Sequence, residues 1–264
     1  MRQESSRNFT NSAGCVSPEE RERGDRFLAA YHLVEQLLRK MSGNGTRESF
    51  RHLVDEMSTG NAVVRRYRDD LVEFAELRNA IVHERISPDY LIAVPLLETV
   101  ERIEEIARVL ASPPTVYPRF RKEVAVFSPR DSLKKVFQVM HRKGFTQFPV
   151  YEDGVYRGLL TDRSIARWVA GLMAGGMAKA SVGEVLSGVS VDEVLASEKN
   201  PHRARFVSRR STVYEVEEIF REASRRERWR VAAVLITENG NPEEELLGIV
   251  TPSDLLSFSN LEGL

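Results

Sequence analysis

A chain of 264 residues with 42% apolar and 29% charged side chains has the composition of a globular protein long enough for two domains. Lysine plus arginine (38) nearly balances aspartate plus glutamate (39), so any nucleic-acid contact must come from a local patch rather than an overall field. The one cysteine, Cys15, excludes an intrachain disulfide and a cysteine-rich zinc site. No apolar run approaches the ~18–20 residues that span a bilayer, so a cytoplasmic protein with no membrane partner is expected.

Residues 1–23 are polar and aperiodic and read as a flexible tail. From 24 to 112 the pattern is helical. "DRFLAAYHLVEQLLRKM" sets Phe27, Tyr31, Val34 and Leu38 on one stripe, and "GNG" (43–45) breaks it. Thr46 is placed to cap "RESFRHLVDEM", with Phe50, Leu53, Val54 and Met57 inward. Gly60-Asn61 opens a long third helix. Ser87-Pro88 opens a fourth, which Pro95 kinks or restarts. Short turns between four helices predict an antiparallel four-helix bundle. The three prolines of "ASPPTVYPRF" (111–120) make 113–122 a linker.

After the linker the chain repeats itself. "FSPRDSLKKVFQVM" (127–140) matches "VSRRSTVYEVEEIF" (207–220) at an offset of 80, and "GLLTDRSI" (158–165) matches "GIVTPSDL" (248–255) at an offset of 90. The second copy carries the longer hairpin, "TENGNPEEE" against "YEDG". Each copy reads strand, helix, strand, tight turn, strand, helix. One such unit cannot cover both faces of its sheet, so the copies (123–175 and 176–260) should pack together. The expected fold class is therefore α+β in two domains, a helical bundle followed by a tandem β-α-β-β-α pair.

In "GIVTPSDL", Thr251 stands at an N-cap, Pro252 at N1 and Asp254 at N3. A helix start offers free N–H groups to a phosphate, and a carboxylate can accept both hydroxyls of a ribose. The same residues also make an ordinary helix cap. The duplication, the "FPVYEDG" hairpin and the Gly-apolar-apolar-Thr strand ending resemble the CBS-domain pair, or Bateman module, over roughly 119–260. That resemblance implies a regulatory adenosine ligand, AMP, ADP or ATP and sometimes S-adenosylmethionine, bound between the repeats. It also implies ligand roles for Thr251 and Asp254. Val231 and Ala233 with Phe206, Val207 and Ser208 would sandwich the base, and Arg203, Arg205 and Arg230 would neutralise phosphates. In the first copy Thr161 is kept, but Ser164 stands where Asp254 would, so one good site is expected.

The third helix carries an anomaly. Arg78 falls in the apolar stripe Val63, Tyr67, Leu71, Phe74 and Ile81 and needs a partner, for which Glu98, Glu101, Glu104 and Glu105 are candidates. Asn79 and His83 share another face with Arg65 and Arg68, about 140° round the wheel from Arg78. The string "RNAIVH" (78–83) resembles the Arg-x4-6-His signature of HEPN domains, helical bundles many of which are dimeric, metal-independent endoribonucleases. By that resemblance His83 would be the general acid–base, Arg78 would stabilise phosphorane charge and Asn79 would orient groups. Other members only bind or dimerise, and a lone histidine at a helix end is commonly a surface residue. The basic run "REASRRERWR" (221–230) offers an RNA patch, although Glu222 and Glu227 interrupt it. These readings converge on a homodimeric adenine-nucleotide sensor whose helical domain acts on RNA or binds a partner.

Overall fold

Ser17 opens the first helix with a reciprocal cap. Its hydroxyl accepts the Glu20 N–H at 3.1 Å, and Glu20 accepts the Ser17 N–H at 2.8 Å. The structure, a computed structural model, describes residues 17–43, 48–83, 93–174, 186–198, 203–225 and 231–262. It divides into two compact units, Met1–Pro113 and Pro114–Leu264.

The first unit is helical. Helix α1 (Pro18–Ser42) starts inside the stretch expected to be tail, because the capping box and Pro18 at N1 favour helix there. It ends at Gly43, whose φ of 65° suits glycine. Phe27, Tyr31, Val34 and Leu38 are buried as the stripe predicts. Helix α2 (Phe50–Gly60) is capped by Ser49, whose hydroxyl accepts the His52 N–H; the expected cap, Thr46, lies outside the described residues. The expected single third helix is two, α3 (Ala62–Arg66) and α4 (Arg68–His83). Tyr67 stands between them at φ −103°, ψ 14°, with its ring fully buried. Helix α5 (Leu97–Ala111) begins two residues after Pro95; the alternative start at Ser87-Pro88 lies outside the described residues. Helix α1 packs along α5 and touches α2 and α4. Arg26 holds Glu104 through two bonds of 2.9 and 2.8 Å, joining α1 to α5, and Arg102 holds Asp70 at 3.1 Å, joining α5 to α4.

The second unit contains both copies of the repeat. In the first, α6 (Leu133–Lys143) leads to β1 (Gln147–Glu152) and β2 (Val155–Thr161), an antiparallel hairpin turned by Asp153 and Gly154, both at positive φ. Helix α7 (Asp162–Ala174) follows. After α8 (Val191–Ser197) the second copy gives β3 (Ala204–Ser208), α9 (Val213–Arg225), β4 (Ala233–Thr237), β5 (Gly248–Val250) and α10 (Pro252–Glu262). Its sheet order is β3-β4-β5, with β3 parallel to β4 and β5 antiparallel. The first copy keeps this topology, but its opening strand shrinks to one parallel bridge, Phe127 with Val150.

The segment ahead of each copy packs on the other copy. Thr115 bridges Thr212, the Val116 N–H donates to the Ser211 carbonyl at 2.8 Å, and the Val213 N–H donates to the Pro114 carbonyl at 2.9 Å. Val116 is fully buried in the second copy's core with Val207, Val216, Ile236 and Val250. Reciprocally, Ser190 bridges Ser132, the Leu133 N–H donates to the Val189 carbonyl and the Val191 N–H to the Asp131 carbonyl. Val191, Val194 and Leu195 complete the first copy's core. Two expected boundaries move accordingly. Residues 114–120 belong to the second unit rather than to a linker, and 186–197 serve the first repeat rather than opening the second. Between the copies Leu159, Ala204, Ala233, Leu235 and Ile249 make a further cluster, and the Tyr156 ring meets Phe206 edge-on at 5.0 Å.

Candidate functional site

The two strand-to-helix junctions share a Thr-x-x-polar spacing but bond differently. In the first copy the Thr161 hydroxyl accepts the Ser164 N–H at 3.0 Å and pairs with the Ser164 hydroxyl at 2.8 Å. Both residues are buried, and this is a closed helix cap. In the second copy the Thr251 hydroxyl and backbone N–H both donate to Asp254 Oδ2, each at 2.7 Å. The expected roles reverse here: the carboxylate caps the threonine.

Asp254 has a second partner. Lys122 Nζ donates to Oδ1 at 2.9 Å and to Oδ2 at 2.8 Å. Burial alone would raise the Asp254 pKa, but the Lys122 ammonium and the Thr251 hydroxyl and N–H outweigh it and hold the carboxyl below its ordinary value. Lys122 escaped the sequence reading because it lies 132 residues away in a stretch that reads as linker. The one available signal is Gly248, where a β-carbon would meet the Phe120 carbonyl; a required glycine marks a close chain crossing.

The remaining expected ligand residues do not converge. Along β3 and β4, Phe206 and Ala233 face the other repeat. Val207 lies in the core on the helix-covered face and Val231 packs against that same core. Period-2 alternation separates Phe206 from Val207, and Val231 lies before β4 and packs on the Val207 side, so all four cannot sandwich one base. The Ser208 hydroxyl donates to the Glu238 carbonyl at 3.1 Å. Arg205 is exposed, and Arg230 lies outside the described residues. Arg203 is mostly buried and ion-paired to Glu198 at 3.0 Å, which engages it away from an anion role. Val231 instead lines a groove of about 520 Å³ with Phe220, Arg221, Pro252, Leu255 and Leu256, between α9 and α10.

In the helical unit Arg78 is half-buried. Its guanidinium sits 5.9 Å from the centre of the Tyr31 ring and donates to Asn79 Oδ1 at 3.1 Å. Two of the expected acidic partners are engaged elsewhere, Glu104 by Arg26 and Glu105 by Arg102. Helix α4 runs to His83, whose side chain lies outside the described residues. Glu48, His52 and Glu56 bring three potential metal-ligand atoms within 4.8 Å of one another. His52 is exposed and lies 3.8 Å from the Glu48 carboxylate, an ordinary i,i+4 pairing. No helix among the described residues is long and apolar enough to cross a membrane.

Residues 119–171 and 198–260 match the family model for the CBS domain. Both matches fall on the two copies described above, so the C-terminal part of the chain carries a pair of CBS domains. No curated protein matches the chain. Among solved structures, a CBS domain-containing protein of unknown function from Kribbella flavida DSM 17836 is 21% identical, covering 54% of this chain and 95% of that one, with a TM-score of 0.41. A putative signal-transduction protein with CBS domains from Burkholderia ambifaria MC40-6 is 17% identical over 56% and 91%, TM-score 0.41. CBSX2, solved in complex with AMP, is 14% identical over 57% and 99%, TM-score 0.40.

Proposed function

We propose that this protein is an adenine-nucleotide sensor, with the ligand seated at Thr251 and Asp254 of the second CBS repeat and the helical unit as the regulated output. The observation that carries this reading is the difference between the two junctions. The second presents an ionised, half-buried carboxylate beside a cation at the start of a helix, chemistry suited to a ribose diol and a phosphate. The first presents two hydroxyls bonded to each other and no carboxylate at the matching position. One working site follows, with the partly buried Phe206 as the apolar surface for the base.

The test is a thermal-shift panel of AMP, ADP, ATP and S-adenosylmethionine on the full chain and on Asp254→Ala. Stabilisation of the parent that the substitution removes supports the site. Absence of stabilisation by every adenosine compound, or equal stabilisation of the variant, refutes it. Regulation further requires that the ligand bind two arrangements of the protein with different affinity.

For the helical unit, the packing of Arg78 on Tyr31 supports a structural role and hence a dimerisation or partner-binding output. The RNA-directed reading draws on the Arg78–Asn79 bond and on His83 at the end of the same helix. In that reading the purified chain cleaves RNA without added metal, and His83→Ala abolishes cleavage while leaving the helical content unchanged.

A further inference from the structure

The donors to the Asp254 carboxylate are shared unevenly between its two oxygens. Two oxygens offer about four lone-pair positions. Oδ2 takes the Thr251 N–H, the Thr251 hydroxyl and Lys122, and Oδ1 takes Lys122. The Thr251 bonds are local to the helix start. Lys122 lies 132 residues earlier in the sequence and its side chain is 38% exposed, so it is the donor that can leave. Its departure leaves both lone-pair positions of Oδ1 without a donor and open to the hydroxyls of a ribose, while Oδ2 keeps its two Thr251 donors. An ammonium displaced from its carboxylate then needs another anion nearby.

From this we infer that Lys122 determines the ligand class of the site: it gives up Asp254 to the ribose and pairs with the ligand's own phosphate. The inference rests on the nucleotide reading of the Thr251–Asp254 site and narrows it. The site takes adenosine ligands that bring a phosphate and discriminates against uncharged adenosine and against the sulfonium of S-adenosylmethionine. A ligand without an anion exchanges one satisfied ion pair for a free ammonium. A phosphorylated ligand exchanges one charge-assisted contact for another. Lys122 is two residues beyond Phe120, whose carbonyl lies on Gly248, so the residue that responds to the ligand belongs to the crossing segment that enters this domain pair from Pro114.

The test is calorimetric titration of the full-length protein, Lys122→Met, Lys122→Arg and Asp254→Asn with AMP and with adenosine. The parent should prefer AMP by about tenfold or more. Lys122→Met should tighten adenosine, weaken AMP and bring the two within about threefold of each other. Lys122→Arg should keep the preference, which separates loss of charge from damage to the fold. If Lys122→Met keeps the parent's AMP-to-adenosine ratio while Asp254→Asn loses binding, the inference about Lys122 is wrong and the nucleotide site stands. If the parent binds neither compound, or Asp254→Asn binds both unchanged, the site itself is wrong and the inference falls with it.

Discussion

The carbonyl oxygen of Phe120 lies directly over Gly248, so close that a β-carbon at 248 would stand 2.5 Å from it. Phe120 lies at the start of the first repeat and Gly248 begins the last strand of the second. Because the obstructing atom is backbone, it cannot turn aside as a flexible side chain would. Gly248→Ala should therefore destabilise the CBS pair by about 1–3 kcal/mol, the usual cost of overpacking. Chemical denaturation followed by circular dichroism measures it, and a midpoint equal to the parent's would mean that the crossing is looser than described.

Val116 makes the same point from the core side. It lies before the first repeat, yet it is fully buried with Val207, Ile236 and Val250 of the second. Val116→Ala removes two methyl groups and should cost about 1–3 kcal/mol through lost burial and the cavity left behind. Since the reciprocal segment ties Val191 and Leu195 into the first copy, both repeats should lose structure in one transition. Hydrogen exchange resolved by peptide would show protection falling in β4 and β5 and in β1 and β2 together. Loss confined to the second copy would contradict the coupling.

Much of this architecture was legible because it rests on local pattern. The offsets of 80 and 90 expose the duplication, and the stripe from Phe27 to Leu38 announces the first helix. Thr251 and Asp254 were legible as a pair because a three-residue spacing at a helix start has few uses. Lys122 was not. Its partner is 132 residues away, and the prolines around it have the composition of a linker although the chain there crosses to the second repeat. Phe206 and Val207 illustrate a different loss. Adjacent strand residues must face opposite ways, so reading contiguous residues as one ligand surface ignored a rule the sequence already contained. The break of the third helix at Tyr67 was not legible, because the apolar periodicity runs straight through that buried residue.

Arg78 looked anomalous in an apolar stripe, and the ring of Tyr31 accounts for part of its accommodation. Burial pushes the Tyr31 hydroxyl up to about 12, with Glu35 adding to the rise and Arg78 opposing it. Arg78→Met keeps the aliphatic stem but removes the cation over the ring. It should cost about 0.5–2 kcal/mol, measured as a lowered thermal midpoint. In the same variant Tyr31 should ionise at higher pH than in the parent, which an ultraviolet absorbance titration detects. A purely catalytic Arg78 would leave both quantities unchanged.

Acid should weaken the CBS pair through its carboxylates, and the sign follows from their shifts. Burial opposes ionisation of Asp254, but Lys122 and Thr251 prevail and its folded pKa is lowered from 3.8; burial likewise opposes ionisation of Asp131, where Lys135 and the Ser128 N–H prevail. A carboxylate depressed on folding contributes stability that is fully present above its unfolded pKa. That stability is lost as pH falls through the lower folded value, since the unfolded chain binds the proton first. Thermal midpoints should thus hold level from neutrality to about pH 5 and decline below about pH 4. Lys122→Met removes the ammonium that depresses Asp254, so its acid decline should begin at the same pH but end sooner and be shallower than the parent's. Parallel curves for the two proteins across the acid range would show that the Lys122–Asp254 pair adds nothing to the fold. In that case the contact would serve the ligand site alone.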